Sequence, residues 1–281
     1  MGIFYLIGSI LAESVGKTID KLNFRRNHIG ARQSLFVAFV GMSILIGLFL
    51  YLTNQSWPVF SLPLAILLLL IALFSFGGNV FDELSLKVDD LSLREPLVDS
   101  GPILAGLVAY LLFPAERKPI FLIAFILGAF IVHWGIHRRK LRRVQRKGMI
   151  YLLIGTALYA VLPSLYQEAL KYISPSYLAF FRAAAVLVLI ALFFRPKKWK
   201  GFTPKKVRYA ALASIAYAIG AIVSLYAIKT YGAVLTMVFL MLGPALRYLA
   251  GQFILHEKVK RGEVLASLML AIIVAIAAFA N

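Results

Sequence analysis

The sequence contains no cysteine among its 281 residues, which excludes disulfide bonds, thiolate metal sites and cysteine nucleophiles. Acidic residues are scarce, with 12 Asp and Glu against 30 Lys and Arg. No segment is long or polar enough to form a separate soluble domain. The motifs GxxxxGK[ST], HExxH and GxSxG are also absent, which argues against an ATP site and against the common metalloprotease and hydrolase sites.

Apolar residues fill the chain instead. They make up 61% of it, against about 45–50% in soluble domains. A membrane-spanning helix needs about 20 mostly apolar residues. We therefore predict an all-α membrane protein with ten spans in the cytoplasmic membrane. The first span is expected to be retained, because residues 3–12 lack the basic flank and cleavage site of a signal peptide. The predicted spans are residues 3–22, 30–52, 61–83, 91–113, 119–136, 149–171, 175–194, 207–228, 233–254 and 263–280.

Two stretches of the chain resemble each other. The Gly-Pro pair at 243–244 is followed by an apolar run that ends at Glu257 and Lys258, and the Gly-Pro pair at 101–102 is followed by one that ends at Glu116 and Arg117. The spans thus divide into two five-helix repeats, residues 1–137 and 149–281, joined by a basic loop at 138–148. Because five is odd, the second repeat must enter the membrane from the opposite side. Inverted repeats of this kind are typical of transporters.

These features together resemble one transporter family. Two five-span halves, a proline-broken fourth span in each and a closing pair of Glu and a basic residue are similar to the EamA-like family of the drug/metabolite transporter superfamily. The resemblance covers essentially the whole chain. It implies ten helices around a central cavity, lined mainly by spans 1, 3, 4, 6, 8 and 9, that opens alternately to the two sides of the membrane.

The basic residues indicate the orientation. Loops after odd-numbered spans contain most of the Lys and Arg, including the run HRRKLRRVQRK at 137–147, whereas the opposite side has only Arg117, Lys118, Lys171 and Lys229. Basic loops face the cytoplasm. We therefore predict cytoplasmic odd loops and both termini outside, although the family usually has both termini inside. As topology signals, the basic loops need no nucleic-acid partner.

Charged residues at membrane depth are the main candidates for a site. A charge at the bilayer centre costs about 2.5–3.5 kcal/mol even on insertion scales. One interpretation is that Glu13 or Asp99 pairs with an arginine and only fixes helix positions. The other is that an acid and an arginine face the cavity and meet substrate or a proton, with Glu13 the first choice for the proton and Asp99 the second. The charged candidates are Glu13, Glu95, Asp99, Arg182 and Arg247.

Helix breaks and aromatic residues complete the predicted site. Pro102 and Pro244 cannot donate a backbone hydrogen bond, and matching breaks in the two halves of a transporter point to a midplane binding site. Kinks that only shape packing are the alternative. Polar and aromatic side chains predicted to line the site are Asn79, Tyr159, Tyr217 and Tyr248.

These observations predict a secondary active transporter. It would move a small polar or amphipathic organic metabolite across the lipid bilayer, driven by a proton, an ion or solute exchange, with no cofactor and no metal. A flippase or a carrier of lipid-linked or sugar-containing substrates is the nearer alternative. A membrane prenyltransferase is the more distant one, since Asp82-Glu83 and Asp89-Asp90 form one acidic motif where such enzymes have two. We expect no enzymatic activity, and the sequence leaves open whether the protein is a homodimer.

Overall fold

The computed structural model describes residues 3–27, 31–86, 100–133, 146–193, 204–243, 245–246 and 261–279. These residues form ten α-helices and no strand, so the all-α prediction is confirmed for them. Each helix overlaps one predicted span. The helices are α1 (Ile3–Asn27), α2 (Ala31–Leu52), α3 (Leu62–Leu86), α4 (Gly101–Leu112), α5 (Pro119–Ile131), α6 (Arg146–Ala169), α7 (Pro175–Phe193), α8 (Pro204–Tyr231), α9 (Ala233–Leu240) and α10 (Arg261–Phe279), with a 3-10 turn at Pro114–Glu116.

Five of the described helices, α2, α3, α6, α7 and α8, are long and apolar enough to cross a membrane. Their surfaces carry large apolar side chains, such as Leu48 on α2 and Ile66 on α3, each about half exposed. Leu122 on α5 and Ile272 on α10 are exposed in the same way. An apolar surface of this extent would be unfavourable in water and is typical of helices that face lipid.

Proline and glycine set several of the helix bounds. Pro119 and Pro175 are the first residues of α5 and α7, a position where the missing N–H costs no helical hydrogen bond. Gly232 separates α8 from α9 with a φ of 83°, a backbone conformation that favours glycine. By contrast, α1 continues to Asn27, five residues beyond the predicted span, because hydropathy detects only the part of a helix that is apolar.

Helices of the first half pack mainly against helices of the second. The two most extensive pairs are α1 with α8 and α3 with α6, followed by α2 with α8 and α7, and α4 with α6 and α9. Glycines permit close approach in both main pairs, since a Cβ on Gly220 of α8 would lie 3.3 Å from the Cβ of Ala12. On α3, Gly78 faces the ring of Tyr159, whose nearest atom would lie 2.9 Å from an added Cβ.

Candidate functional site

Three polar residues follow one face of the apolar helix α3. Ser75, Asn79 and Asp82 are spaced by four and three residues, so their side chains lie on the same side of the helix. Ser75 is completely buried near the middle of α3. The side-chain amide of Asn79 donates a hydrogen bond of 2.7 Å to the carbonyl oxygen of Ser75, one turn earlier on this face. The stripe brings polar groups to the centre of an otherwise apolar bundle.

Helix α6 presents two tyrosines to this stripe. Tyr159 packs on Gly78, and Tyr166 lies two turns further along the same face of α6. Pro163 stands between them inside the helix, so no N–H at that position bonds the carbonyl of Tyr159. Only 8% of Tyr166 is exposed, and its hydroxyl has no hydrogen-bond partner among the described residues. A buried hydroxyl without a partner is unusual and needs an explanation.

Arg182, near the middle of α7, joins the two helices. Its Nε donates a hydrogen bond of 3.3 Å to Oγ of Ser75. Its guanidinium carbon lies 5.6 Å from the centre of the Tyr166 ring, within the range of a cation–π contact. Asp82, Arg182 and Tyr166 all interact electrostatically with Tyr159. We call this set the central polar group; its members are Ser75, Asn79, Asp82, Tyr159, Tyr166 and Arg182.

Glu13 lies on another helix pair and forms an ion pair within its own helix. Its Oε1 is 2.6 Å from Nζ of Lys17, one turn further along α1, and 39% of the Glu13 side chain is exposed. The ring of Tyr217 on α8 lies against Gly16, between these two charges in sequence. Lys17 is therefore one partner of Glu13, and Arg247, one of the two arginines considered for pairing with this acid, lies outside the described residues.

A second polar cluster joins the two halves at one end of the bundle. Both oxygens of the Glu116 carboxylate accept hydrogen bonds, one from the side-chain amide of Gln167 and one from the N–H of Val234 at 2.9 Å. The side-chain oxygen of Gln167 in turn accepts from the N–H of Ala233 at 2.7 Å. These bonds satisfy the free N–H groups at the start of α9, and the negative charge lies where the helix dipole favours it. We call Glu116, Gln167 and residues 232–234 the α9 cap group.

The α9 cap group lies on what we call the even-loop face, formed by the connections after α2, α4, α6 and α8. A second set of contacts closes this face. Oε1 of Gln55 accepts a hydrogen bond of 3.1 Å from Ser174, and the hydroxyl of Tyr177 donates one of 2.8 Å to the carbonyl of Gln55. Trp57 packs on the ring of Tyr177 with 5.4 Å between ring centres. These residues line an open cavity of about 340 Å³. The predicted site residues that the structure describes are not part of its lining.

The predicted site is therefore only partly assembled in the described part of the chain. Asn79, Tyr159 and Arg182 come together, whereas Glu13 and Tyr217 lie at the α1 and α8 pair. Pro102 is in the first turn of α4, and α9 ends at Leu240, before the second Gly-Pro pair. Predicted residues outside the described part are Glu95, Asp99, Pro244, Arg247 and Tyr248.

Ser75 and Tyr166 were not predicted, and neither were the Glu116 and Gln167 contacts. A helical stripe of polar residues on an apolar helix is the signal that would have pointed to Ser75. No group of three or more His, Cys, Asp or Glu that could hold a metal ion forms among the residues described. Asp89 and Asp90, on which the prenyltransferase alternative depended, lie outside them.

Comparison with known proteins agrees with this architecture. Residues 146–279, from the start of α6 to the end of α10, match the model of the EamA-like transporter family. This match agrees with the resemblance predicted from the sequence, over the second half of the chain. A solved crystal structure is similar over 99% of this chain and 99% of its own, with 15% sequence identity and a TM-score of 0.67, which shows a shared fold. No curated protein matches the chain.

Proposed function

We propose that the protein is a secondary active transporter that moves a small polar or amphipathic organic metabolite by alternating access. The observation that carries this proposal is the central polar group. It brings together a guanidinium, two tyrosine rings and a buried serine from α3, α6 and α7, which belong to both halves of the chain. In an apolar bundle such groups are costly unless they have a partner or face a cavity. A passing polar solute is such a partner.

The pattern of helix neighbours supports two inverted repeats. Exchanging the halves turns the pair α1 with α8 into the pair α6 with α3, and these are the two most extensive contacts. It also turns α4 with α6 into α9 with α1, which are in contact too. Ser14 and Ser164, which are 150 positions apart, are both buried with no hydrogen-bond partner among the described residues. Two such halves can rock against each other around a site between them.

Contacts on the even-loop face support one closed side. Glu116 of the first half bonds Gln167 and Val234 of the second, and Gln55 of the first bonds Ser174 of the second. Opening this face would break these hydrogen bonds, so they would form and break once in each transport cycle. The energy source is a proton, an ion or an exchanged solute. Glu13 is our candidate for proton binding among the described residues.

Orientation in the cytoplasmic membrane follows from the basic loops, which place the even-loop face outside. A single cysteine at Ser56, an exposed residue on this face, should react with an impermeant thiol reagent in intact cells. A cysteine at Lys198, in a basic odd loop, should react only after the cells are opened. The chain has no native cysteine, so the background is clean. The reverse labelling pattern would invert the orientation and put both termini in the cytoplasm.

Transport itself is tested with purified protein in liposomes. Liposomes preloaded with a cell metabolite extract should take up labelled metabolites by exchange, without ATP, and liposomes without protein should not. Mass spectrometry of the trapped solutes then identifies the substrate. An absence of exchange under every gradient tested would contradict the proposal. Movement of fluorescent lipid between the leaflets without solute exchange would favour the flippase alternative.

A further inference from the structure

The charge of Arg182 has neutral partners in the described structure. The side chain lies in the run LAFFRAAAVLVLI on α7, so it enters the apolar part of the bundle. Among the described residues it donates a hydrogen bond to Ser75, lies over the ring of Tyr166 and interacts with Tyr159, all of them neutral side chains. The ion pairs between described residues join Lys17 with Glu13 and Lys171 with Glu168, and neither includes Arg182. A guanidinium at this depth without a counter-charge is costly.

The guanidinium also has donors left over. An arginine side chain carries five N–H donors. Within the described part of the chain, only Nε of Arg182 makes a hydrogen bond. The terminal nitrogens form the fork that binds a carboxylate or phosphate through two parallel hydrogen bonds. The unused side of Arg182 therefore has the donor geometry that suits an anion.

Tyr166 supplies a second donor at the same place. Its ring lies beside the guanidinium, and its hydroxyl is the buried group without a partner. Pro163, three residues earlier on α6, is buried as well. Among the described residues, the Tyr166 hydroxyl has no hydrogen-bond partner and Arg182 has no ion-pair partner. Both observations are explained if the two side chains bind the same incoming group.

We propose that Arg182 and Tyr166, with Ser75 positioning the guanidinium, bind an anionic group of the transported molecule. The group is a carboxylate or a phosphate, and it supplies the ion-pair partner that Arg182 does not have among the described residues. This inference rests on the proposed transport function and names its substrate class. The same chemistry could come from a water-soluble metabolite or from the headgroup of an anionic lipid, and the experiment separates the two.

The test measures the melting temperature of the purified full-length protein in neutral detergent. The soluble probes are succinate and glycerol 3-phosphate as anions, putrescine and choline as cations, and glucose as a neutral solute, each at millimolar concentration. Phosphatidylglycerol in mixed micelles is the lipid probe. A ligand that binds only the folded state raises the melting temperature. We expect one or more anionic probes to raise it; a rise with phosphatidylglycerol alone identifies the lipid source.

Variants at Arg182 and Tyr166 test whether the rise in melting temperature comes from anion binding at these residues. Arg182→Gln should abolish the shift, Arg182→Lys should keep part of it because the charge remains without the fork, and Tyr166→Phe should reduce it. Lys229→Gln, which removes an exposed cation of α8, should keep the full shift. If Arg182→Gln does not fold, the other two variants still decide.

Two results would overturn the inference. One is an anion-dependent shift that survives all three changes at Arg182 and Tyr166. The other is that no anionic probe changes the melting temperature. This holds whether putrescine, choline or glucose raises it or no probe changes it at all. A shift with a cation or with glucose would leave transport in place and change only the substrate class. Failure of the exchange assay, in contrast, would remove transport itself.

Discussion

The central polar group and the α9 cap group both contain residues from the two halves of the chain, but they differ in how fully their hydrogen bonds are made. In the α9 cap group, both oxygens of Glu116 accept, and both polar atoms of Gln167 are engaged. In the central polar group, the hydroxyl of Tyr166 has no partner among the described residues, and Arg182 donates only through Nε there. A cluster whose hydrogen bonds are all made stabilises one conformation, whereas a cluster with unpaired groups can bind and release a ligand.

The largest expected effect is at Gly232. A Cβ at this position would overlap the carboxylate of Glu116, and the φ of 83° is unfavourable for any other residue. Gly232→Ala should therefore strain the backbone, at about 1–3 kcal/mol. It should also weaken hydrogen bonds to a charged group, each of which contributes about 1.5–3 kcal/mol. We expect a large fall in melting temperature or a loss of folded protein on size-exclusion chromatography.

Gly101 offers a matched control for that change. A Cβ there would have nothing within 4 Å, and the residue begins α4 without a positive φ. Gly101→Ala should leave the melting temperature unchanged or raise it slightly. Equal behaviour of the two alanine variants would show that the α9 cap group does not hold the halves together.

A smaller effect is expected at Glu13, whose observed ion pair is within one helix. The pair with Lys17 is partly exposed, so its contribution should be about 0.5 kcal/mol. Glu168 is the control, because it pairs with Lys171 on α6 at 2.7 Å and its side chain is equally exposed, at 39%. Glu13→Gln and Glu168→Gln should lower the melting temperature by similar small amounts. A much larger fall for Glu13→Gln would mean that this carboxylate also compensates a buried cation.

The pH dependence of transport should distinguish Glu13 from Glu168, although their effects on the melting temperature should be similar. If Glu13 binds the coupled proton, Glu13→Gln should abolish the dependence of exchange on a pH gradient, while Glu168→Gln should preserve it. Exchange would be followed in liposomes with an acidic or a neutral interior. Unchanged pH dependence in Glu13→Gln would leave Asp99 as the acid to test.

The smallest change in stability is expected for Tyr166→Phe. It removes a hydroxyl that makes no hydrogen bond within the described structure and keeps the ring beside Arg182. The melting temperature without added solute should stay the same or rise. Tyr177→Phe is the comparison, since it deletes a hydroxyl that does donate a bond, to the carbonyl of Gln55. A clear fall for Tyr166→Phe would show that its hydroxyl has a partner in the folded protein.

The helices could be predicted from the sequence because an apolar run of sufficient length has few other structures in lipid. Bounds were less accurate where a helix continues beyond its apolar part, as α1 does to Asn27. Gly220 shows what a small residue at a helix surface does, since it permits close approach whichever helix lies opposite.

Side-chain partners could not be predicted in the same way. Hydropathy gives each helix its length but does not say which helices become neighbours, so Arg182 could not be assigned to Ser75, 107 positions away. One interpretation paired Glu13 with a distant arginine, and nothing in the sequence indicated that Lys17, one turn along the same helix, would form an ion pair with it. Glu116 was recognised only as a repeat marker, because its role depends on the start of α9, 118 positions later in the chain.

The most direct test compares the melting temperatures of Glu116→Gln and Arg182→Gln, measured side by side without added solute. Glu116→Gln removes the charge and one acceptor from a saturated cluster, so its melting temperature should fall. Arg182→Gln removes a cation that has no carboxylate partner among the described residues, so its melting temperature should stay level or rise. A fall for Arg182→Gln as large as that for Glu116→Gln would contradict the account, because breaking a buried ion pair costs about 3–5 kcal/mol. Arg182 would then be a structural residue paired with an acid of the protein.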